Sequence, residues 1–213
     1  MTRLFCSLCA SGWSAMKKSI QPRKKPQQAR SQKTREEILE ATAHLLNQRP
    51  LGEVSTNHIA RKTGISIGTL YKYYPNKDSI LADLSLMYMR RDAELFGRIF
   101  EEYGPGGLDD LLDALVEALM QIHKEDARVR GVVYQNLERL KLVSEAQSAR
   151  QQIHAKGTEV IPRLDPALTW VAISAVNAAV HSMSQLAKQQ QNWGFVQDLC
   201  RQALGSLIKS AKL

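Results

Sequence analysis

The sequence predicts an all-α protein, with a small N-terminal helix-turn-helix unit of three helices and a larger helical domain behind it. Three observations carry that expectation. Apolar residues make up 44% of the chain and aromatics only 6%, a balance that suits a helical domain better than a sheet or a disordered chain. The apolar positions recur at intervals of three and four, without the strict alternation of a half-buried strand. Two short segments, each opening on Ser or Thr, meet at a turn containing Gly64, the pattern of a helix-turn-helix. At 213 residues the chain can bury a sizeable core without disulfides.

Residues 1–33 read as a flexible basic arm, with Pro22, Pro26 and several Gln and Ser. They hold eight Lys or Arg and no Asp or Glu. Residues 34–77 carry six basic and four acidic residues, and residues 78–213 carry fifteen and seventeen, so the net charge of +8 arises at the N-terminus. Such a block beside a DNA-reading unit suits phosphate contact and counterion release; an inert, solvated tail is the alternative. Met16, just before Lys17 and Lys18, offers an alternative start. Cys6, Cys9 and Cys200 form neither an even disulfide framework nor a complete metal site, which points to a reducing cytoplasm.

Helical order is expected from Thr34. Thr34 and Glu37 have the spacing of a capping box, and Ile38, Ala41, Leu45 and Leu46 follow in helical phase up to Arg49-Pro50. Ser55 or Thr56 caps a second helix carrying Ile59 and Ala60, which stops at Gly64 because glycine tolerates the left-handed conformation. Ser66 caps a third helix through Tyr73, and Ile59, Ile65 and Leu70 form the small shared core. Tyr74 is expected in that core. Pro75 closes the unit at residue 77.

Residues 78–213 are expected to form a second domain. Asn76 caps a rod of about 40 Å through Tyr103 at 1.5 Å per residue, with Ile80, Leu84, Met87, Leu95 and Ile99 in phase. Gly104-Pro105-Gly106-Gly107 breaks it. Helices are then expected over 108–124, 126–142, 145–160, 166–190 and 194–211. The uncharged run Pro166 to Ala187 includes Thr169, Ser174, Asn177, His181, Ser182, Ser184 and Gln185, so a buried helix or helix interface is expected there, not a membrane span.

A recognition helix entering the major groove presents its first turn to base edges, which makes Ser66, Ile67, Gly68 and Thr69 the expected readers. The hydroxyls can bond bases or phosphates, Ile67 can pack on a thymine methyl, and Gly68 lets the helix approach the duplex. Tyr71, Lys72 and Tyr73 bring two hydroxyls and an ammonium to the groove edge, where phosphates lie; for the tyrosines, packing within the unit is the alternative.

The run Ile59-Ala60, then Gly64-Ile65-Ser66-Ile67-Gly68-Thr69-Leu70-Tyr71-Lys72-Tyr73-Tyr74-Pro75-Asn76-Lys77 resembles the DNA-binding signature of the TetR family of transcriptional regulators. Arg35, Ile38, Leu39, Ala41, Leu45 and Leu46 fall where that family places its first helix. The resemblance supports contacts at Thr69, Tyr71 and Tyr73 and puts Lys77 on a phosphate, where a helix N-terminus also favours an anion. It further implies that Ser55, Thr56 and Asn57 start the second helix at the DNA backbone, with Asn57 reaching toward a base. One short helix sees few base pairs, so a homodimer on an inverted-repeat operator is expected.

Behind the reader, the resemblance implies a helical ligand-binding and dimerisation domain, with 166–190 and 194–211 pairing across a dimer. The first is rich in small residues and the second carries the stripe Phe195, Leu199, Ala203 and Leu207. Candidate pocket residues, each with an apolar body and a polar or polarisable group, are Met87, Tyr103, Met120, His123, Tyr134, Trp170, Asn177 and His181; core or interface packing is the alternative. With no charge facing them, an apolar or aromatic small-molecule effector is the expected class. His44, His58, His123, His154 and His181 lack metal spacing, and no nucleophile elbow, P-loop or dinucleotide fingerprint is present. Neither catalysis nor a cofactor is therefore expected. The leading expectation is a repressor released from its operator by a small molecule. A nonspecific DNA binder driven by the basic arm, and an enzyme with a vestigial reader, are the competing readings.

Overall fold

A computed structural model describes residues 29–105, 108–160, 182 and 192–210. Among them every regular element is helical: α1 (Ala29–Gln48), α2 (Thr56–Thr63), α3 (Ile67–Tyr73), α4 (Lys77–Tyr103), α5 (Leu108–Gln135), α6 (Val143–Val160) and α7 (Trp193–Ser210), with a 3-10 turn at Leu51–Glu53. The helix expected over 166–190, apart from residue 182, and the basic arm up to residue 28 lie outside the described residues.

α1 corrects the expected start at Thr34. The helix begins at Ala29, and Thr34 lies inside it, its hydroxyl donating to the Arg30 carbonyl at 3.1 Å. Beyond Pro26 no residue breaks a helix, so favourable propensity carries the first turn upstream of a pattern that only resembled a cap. The capping boxes stand elsewhere. Ser55 Oγ accepts from the His58 amide at 3.2 Å, and the Ser55 amide donates to His58 Nδ1 at 3.4 Å. Asn76 Oδ1 accepts from the Ser79 amide at 2.8 Å, while Ser79 Oγ accepts from the Asn76 amide at 3.3 Å. Both satisfy first-turn amides that would otherwise lack partners.

The described residues divide into two compact units, one of 29–88 with 132–146 and the other of 89–131 with 147–160 and 192–210. In the first, α2 packs on α1 and α3. Ile38, Leu46, Val54, Ile59, Leu70, Tyr74, Ile80, Leu81 and Leu84 are almost wholly buried, each aliphatic side chain contributing roughly 1.5–3 kcal/mol. Ile65 is only half-buried, at the edge of the core it was expected to share. Gly64 takes the left-handed conformation at φ 76°. Its amide donates to Arg61 O and the Ile65 amide to Ala60 O, which closes α2 and turns the chain into α3.

A buried polar group spans this unit. Asp83 on α4 receives both Arg35 Nε and Nη2 from α1, and the Tyr74 hydroxyl donates to its Oδ2 at 2.6 Å. Burial and the Asp83 charge push the Tyr74 phenol well above its ordinary pKa. Burial acts to lower the Arg35 guanidinium, yet its hydrogen bonds to Asp83 carry it above its usual value. One carboxylate thus ties α1, the end of α3 and α4 together.

In the second unit, Phe96, Ile99 and Phe100 of α4 pack with Leu111, Leu112, Val116, Leu119 and Met120 of α5 and with Val196 and Cys200 of α7. Burial raises the Cys200 thiol, so it stays protonated as a small apolar group. A Cβ on Gly104 would meet Val160 Cγ1 at 2.5 Å, and one on Gly157 would meet the Phe100 ring at 3.2 Å. These contacts show how closely α6 lies against the end of α4. The two helices expected over 108–124 and 126–142 stand as two segments of α5 that meet at a kink at Asp126 (φ −125°, ψ 28°), the second ending at Gln135 and not at 142. Past the kink, Arg130 makes two 2.8 Å bonds to Asp92 of α4, a fork geometry that fixes the pair. Residues 136–141 form turns, not the end of a longer helix: Lys141 is left-handed at φ 58°, and the Leu142 amide returns to Leu137 O at 2.8 Å.

Candidate nucleic-acid interface

α3 is held from behind and open in front. Ser66 caps it, its Oγ accepting from the Thr69 amide at 3.1 Å, and Leu70 and Tyr74 anchor it with no measurable exposure. The opposite face carries Ile67 and Tyr71, 37% and 41% exposed, with Ser66, Gly68 and Lys72 also exposed. An isoleucine left 37% exposed on a seven-residue helix presents an aliphatic surface that can meet a thymine methyl. Gly68 has helical backbone, and a Cβ there would find only Ser66 Oγ, at 3.9 Å. Nothing among the described residues requires glycine at that position.

Most of the expected contact residues converge here. Thr69 is half-buried, its hydroxyl 2.8 Å from Ser66 Oγ. Thr56, the first residue of α2, places its Oγ1 3.2 Å from the Tyr71 hydroxyl, which brings the start of α2 and the end of α3 to a common polar point. Asn57 is exposed beside it, and Tyr73 is half-buried. Ser55 gives its hydroxyl oxygen to the α2 cap, which leaves its O–H as a donor. Arg61 and Lys62 in the last turn of α2 are exposed cations that the sequence reading passed over; their place just before the turn was the available signal.

Lys77, expected on a phosphate, is also engaged within the fold. Its ammonium donates to Leu51 O at 2.9 Å and Val54 O at 3.0 Å. The N-terminus of α4 is satisfied by Asn76 and Ser79, and the carboxylate of the adjacent Asp78 receives Arg139 Nη1 at 2.7 Å. An anion has less to gain there than a bare helix end would offer.

Comparison with known proteins gives two matched regions. Residues 38–84 match the family profile described as bacterial regulatory proteins, tetR family, and residues 107–204 match that of a tetracyclin repressor-like C-terminal domain. The chain belongs to the TetR family. The reader of this TetR-family chain is 40% identical over 47 residues to the HTH-type transcriptional regulator EthR of Mycobacterium tuberculosis, a stretch covering 22% of each chain. The alignment thus spans about a fifth of that relative. Solved TetR-family regulators from Mesorhizobium loti (TM-score 0.69, 17% identity, covering 86% of this chain and 98% of the other) and Streptomyces coelicolor (TM-score 0.62, 20% identity, 83% and 98%) share the fold.

The expected pocket residues that are described fall in both units. Met120 is buried in the core of the second unit and Tyr103 is 37% exposed, whereas Met87 and Tyr134 belong to the first unit, buried and 40% exposed respectively. Trp170, Asn177, His181 and the side chain of His123 lie outside the described residues. The described residues hold no cluster of three or more His, Cys, Asp or Glu suited to a metal ion, and no helix among them is long and apolar enough to cross a membrane.

Proposed function

We propose that the protein is a sequence-specific DNA-binding transcriptional regulator, a homodimeric repressor that leaves an inverted-repeat operator when a small apolar or aromatic molecule binds its C-terminal domain. The exposed face of α3 carries this reading. Ile67, Gly68 and Lys72 stand on a helix anchored by Leu70 and Tyr74, the combination needed to hold base-reading groups rigidly in a major groove. Ser66 and Thr69 supply hydroxyls to base edges, Asn57 reaches toward a base, and Thr56, Tyr71, Lys72 and Tyr73 meet the phosphates on either side. A regulator of this kind works in the cytoplasm, and membership in a family of transcriptional regulators supports binding, not turnover.

The dimer is supported by α7. Val196 and Cys200 turn into the core, while Phe195 and Leu199 are 60% and 44% exposed one turn apart. A second copy of the same helix would cover them. Sedimentation of the native protein is expected to give a dimer and Leu199→Lys a monomer with much weaker operator binding; a monomeric wild type contradicts the proposal. Selection of duplexes from genomic fragments is expected to enrich an inverted repeat, with affinity falling steeply as salt rises.

A further inference from the structure

We infer that Ser66 and Thr69 act as one reading unit, a coupled hydroxyl pair that selects adenine in each half-site. The inference rests on the DNA-reading proposal above and deepens it, from two hydroxyls supplied to base edges to one base that they recognise together. Ser66 Oγ lies 2.8 Å from Thr69 Oγ1 and accepts from the Thr69 amide at 3.1 Å. Ser66 is exposed and Thr69 half-buried, and the two residues between them, Ile67 and Gly68, are exposed. A hydroxyl has one proton to donate and two lone pairs to accept with. The bond between the two oxygens uses one of the pair's two protons, and the Thr69 amide takes one lone pair of Ser66. Two arrangements satisfy these bonds. With Thr69 donating, Ser66 Oγ is full as an acceptor and keeps its proton for the duplex, while Thr69 Oγ1 keeps its lone pairs. With Ser66 donating, Thr69 keeps its proton and Ser66 one lone pair. In both, one oxygen of the pair offers a donor and the other an acceptor.

Of the four bases, adenine alone presents in the major groove an acceptor, N7, beside a donor, the N6 amino group. Asparagine and glutamine read adenine through the same donor and acceptor match. Guanine presents two acceptors, N7 and O6. To give protons to both, the pair would have to break the bond between Ser66 and Thr69. Cytosine offers only its N4 amino group and thymine only O4, so each leaves half of the pair unmet. The hydroxyls, and not the amides of α3, carry this selection.

Duplex selection with the wild type, Ser66→Gly, Thr69→Val and Thr69→Ser tests the pair, at a temperature where circular dichroism shows each protein folded. Glycine keeps most of the stability of a serine N-cap, and valine keeps the shape of threonine without its hydroxyl. The wild type is expected to fix an A·T pair at one symmetry-related pair of positions. Ser66→Gly and Thr69→Val are both expected to lose preference at those same positions, the combined variant to lose little more affinity than either alone, and Thr69→Ser to keep the preference. Replacing that adenine by 7-deazaadenine in one half-site removes N7 and leaves base pairing intact. It is expected to weaken wild-type binding about tenfold and Thr69→Val binding little. Preference lost at different positions by the two variants, or at positions that the wild type fills with a G·C pair, overturns the inference in favour of independent contacts. Affinity lost with no position relaxed overturns it in favour of phosphate contacts, and unchanged motif and affinity overturn it in favour of a helix cap alone. The modified duplexes also test the wild type without any variant, since insensitivity at every adenine of the half-site overturns the inference by itself. A wild type that enriches no duplex fails the DNA-reading proposal itself, whereas the adenine assignment fails only when the wild type binds and its preferences fall otherwise.

Discussion

Single side chains in the reader divide between those that hold the fold and those that serve the surface, and substitutions separate the two. Gly68 is helical, exposed and free of close neighbours. Gly68→Ala should therefore stabilise the protein by up to about 1 kcal/mol through helix propensity while weakening DNA binding, because the methyl group stands where the duplex must approach. Thermal unfolding and duplex titration on the same variant check both halves. Tyr74 shows the opposite behaviour. Tyr74→Phe removes the hydrogen bond to Asp83 and should cost roughly 1–2 kcal/mol at neutral pH. The raised phenol also sets the sign of an alkaline effect. The folded state keeps its proton where the unfolded chain releases it, so stability present below about pH 10, the ordinary tyrosine value, is lost as pH rises beyond it. The Tyr74→Phe variant should show a shallower fall over that range. The core position of Tyr74 was legible in the sequence, but its partners were not. The available signal was Asp83 alone in the run Ile80-Leu81-Ala82-Asp83-Leu84, a carboxylate that a buried helix face tolerates only when paired.

At the scale of elements, periodicity located the helices while local capping decided their ends. Ser55, Gly64, Ser66 and Asn76 mark their boundaries because each has a side chain or backbone freedom suited to a helix end, and those ends were readable. The start of α1 and the end of the turn at 136–141 were not. Thr34 has the composition of a cap but sits mid-helix, and Lys141 holds a left-handed position that sequence rules reserve for Gly or Asn. The second case makes a prediction: Lys141→Gly should stabilise the protein by roughly 0.5–1 kcal/mol in thermal unfolding, because the strain exceeds glycine's added unfolded-state entropy. Gly64→Ala, at φ 76° with open space around it, should cost about 1 kcal/mol through the backbone alone. The break expected between two helices near residue 125 stands as the non-helical Asp126 within α5.

The whole molecule couples one recognisable reader to a domain whose chemistry the sequence states less plainly. The reader is legible because a major groove constrains length, caps and exposed residues within a few turns. Helical packing behind it can be met by many sequences, so periodicity revealed helices without assembling a pocket. The pattern Phe195 and Leu199 against Val196 and Cys200 nevertheless gives α7 two apolar sides, one buried within the chain and one exposed. The central claim, that the open face of α3 reads DNA, is tested most directly by selecting genomic duplexes with the wild type and with Ile67→Ala side by side. The wild type should enrich an inverted repeat with half-sites about one helical turn apart. The variant should lose preference at one symmetry-related pair of positions and retain the rest. Enrichment of the same motif with equal strength by both proteins, or of no motif by the wild type, would contradict the account.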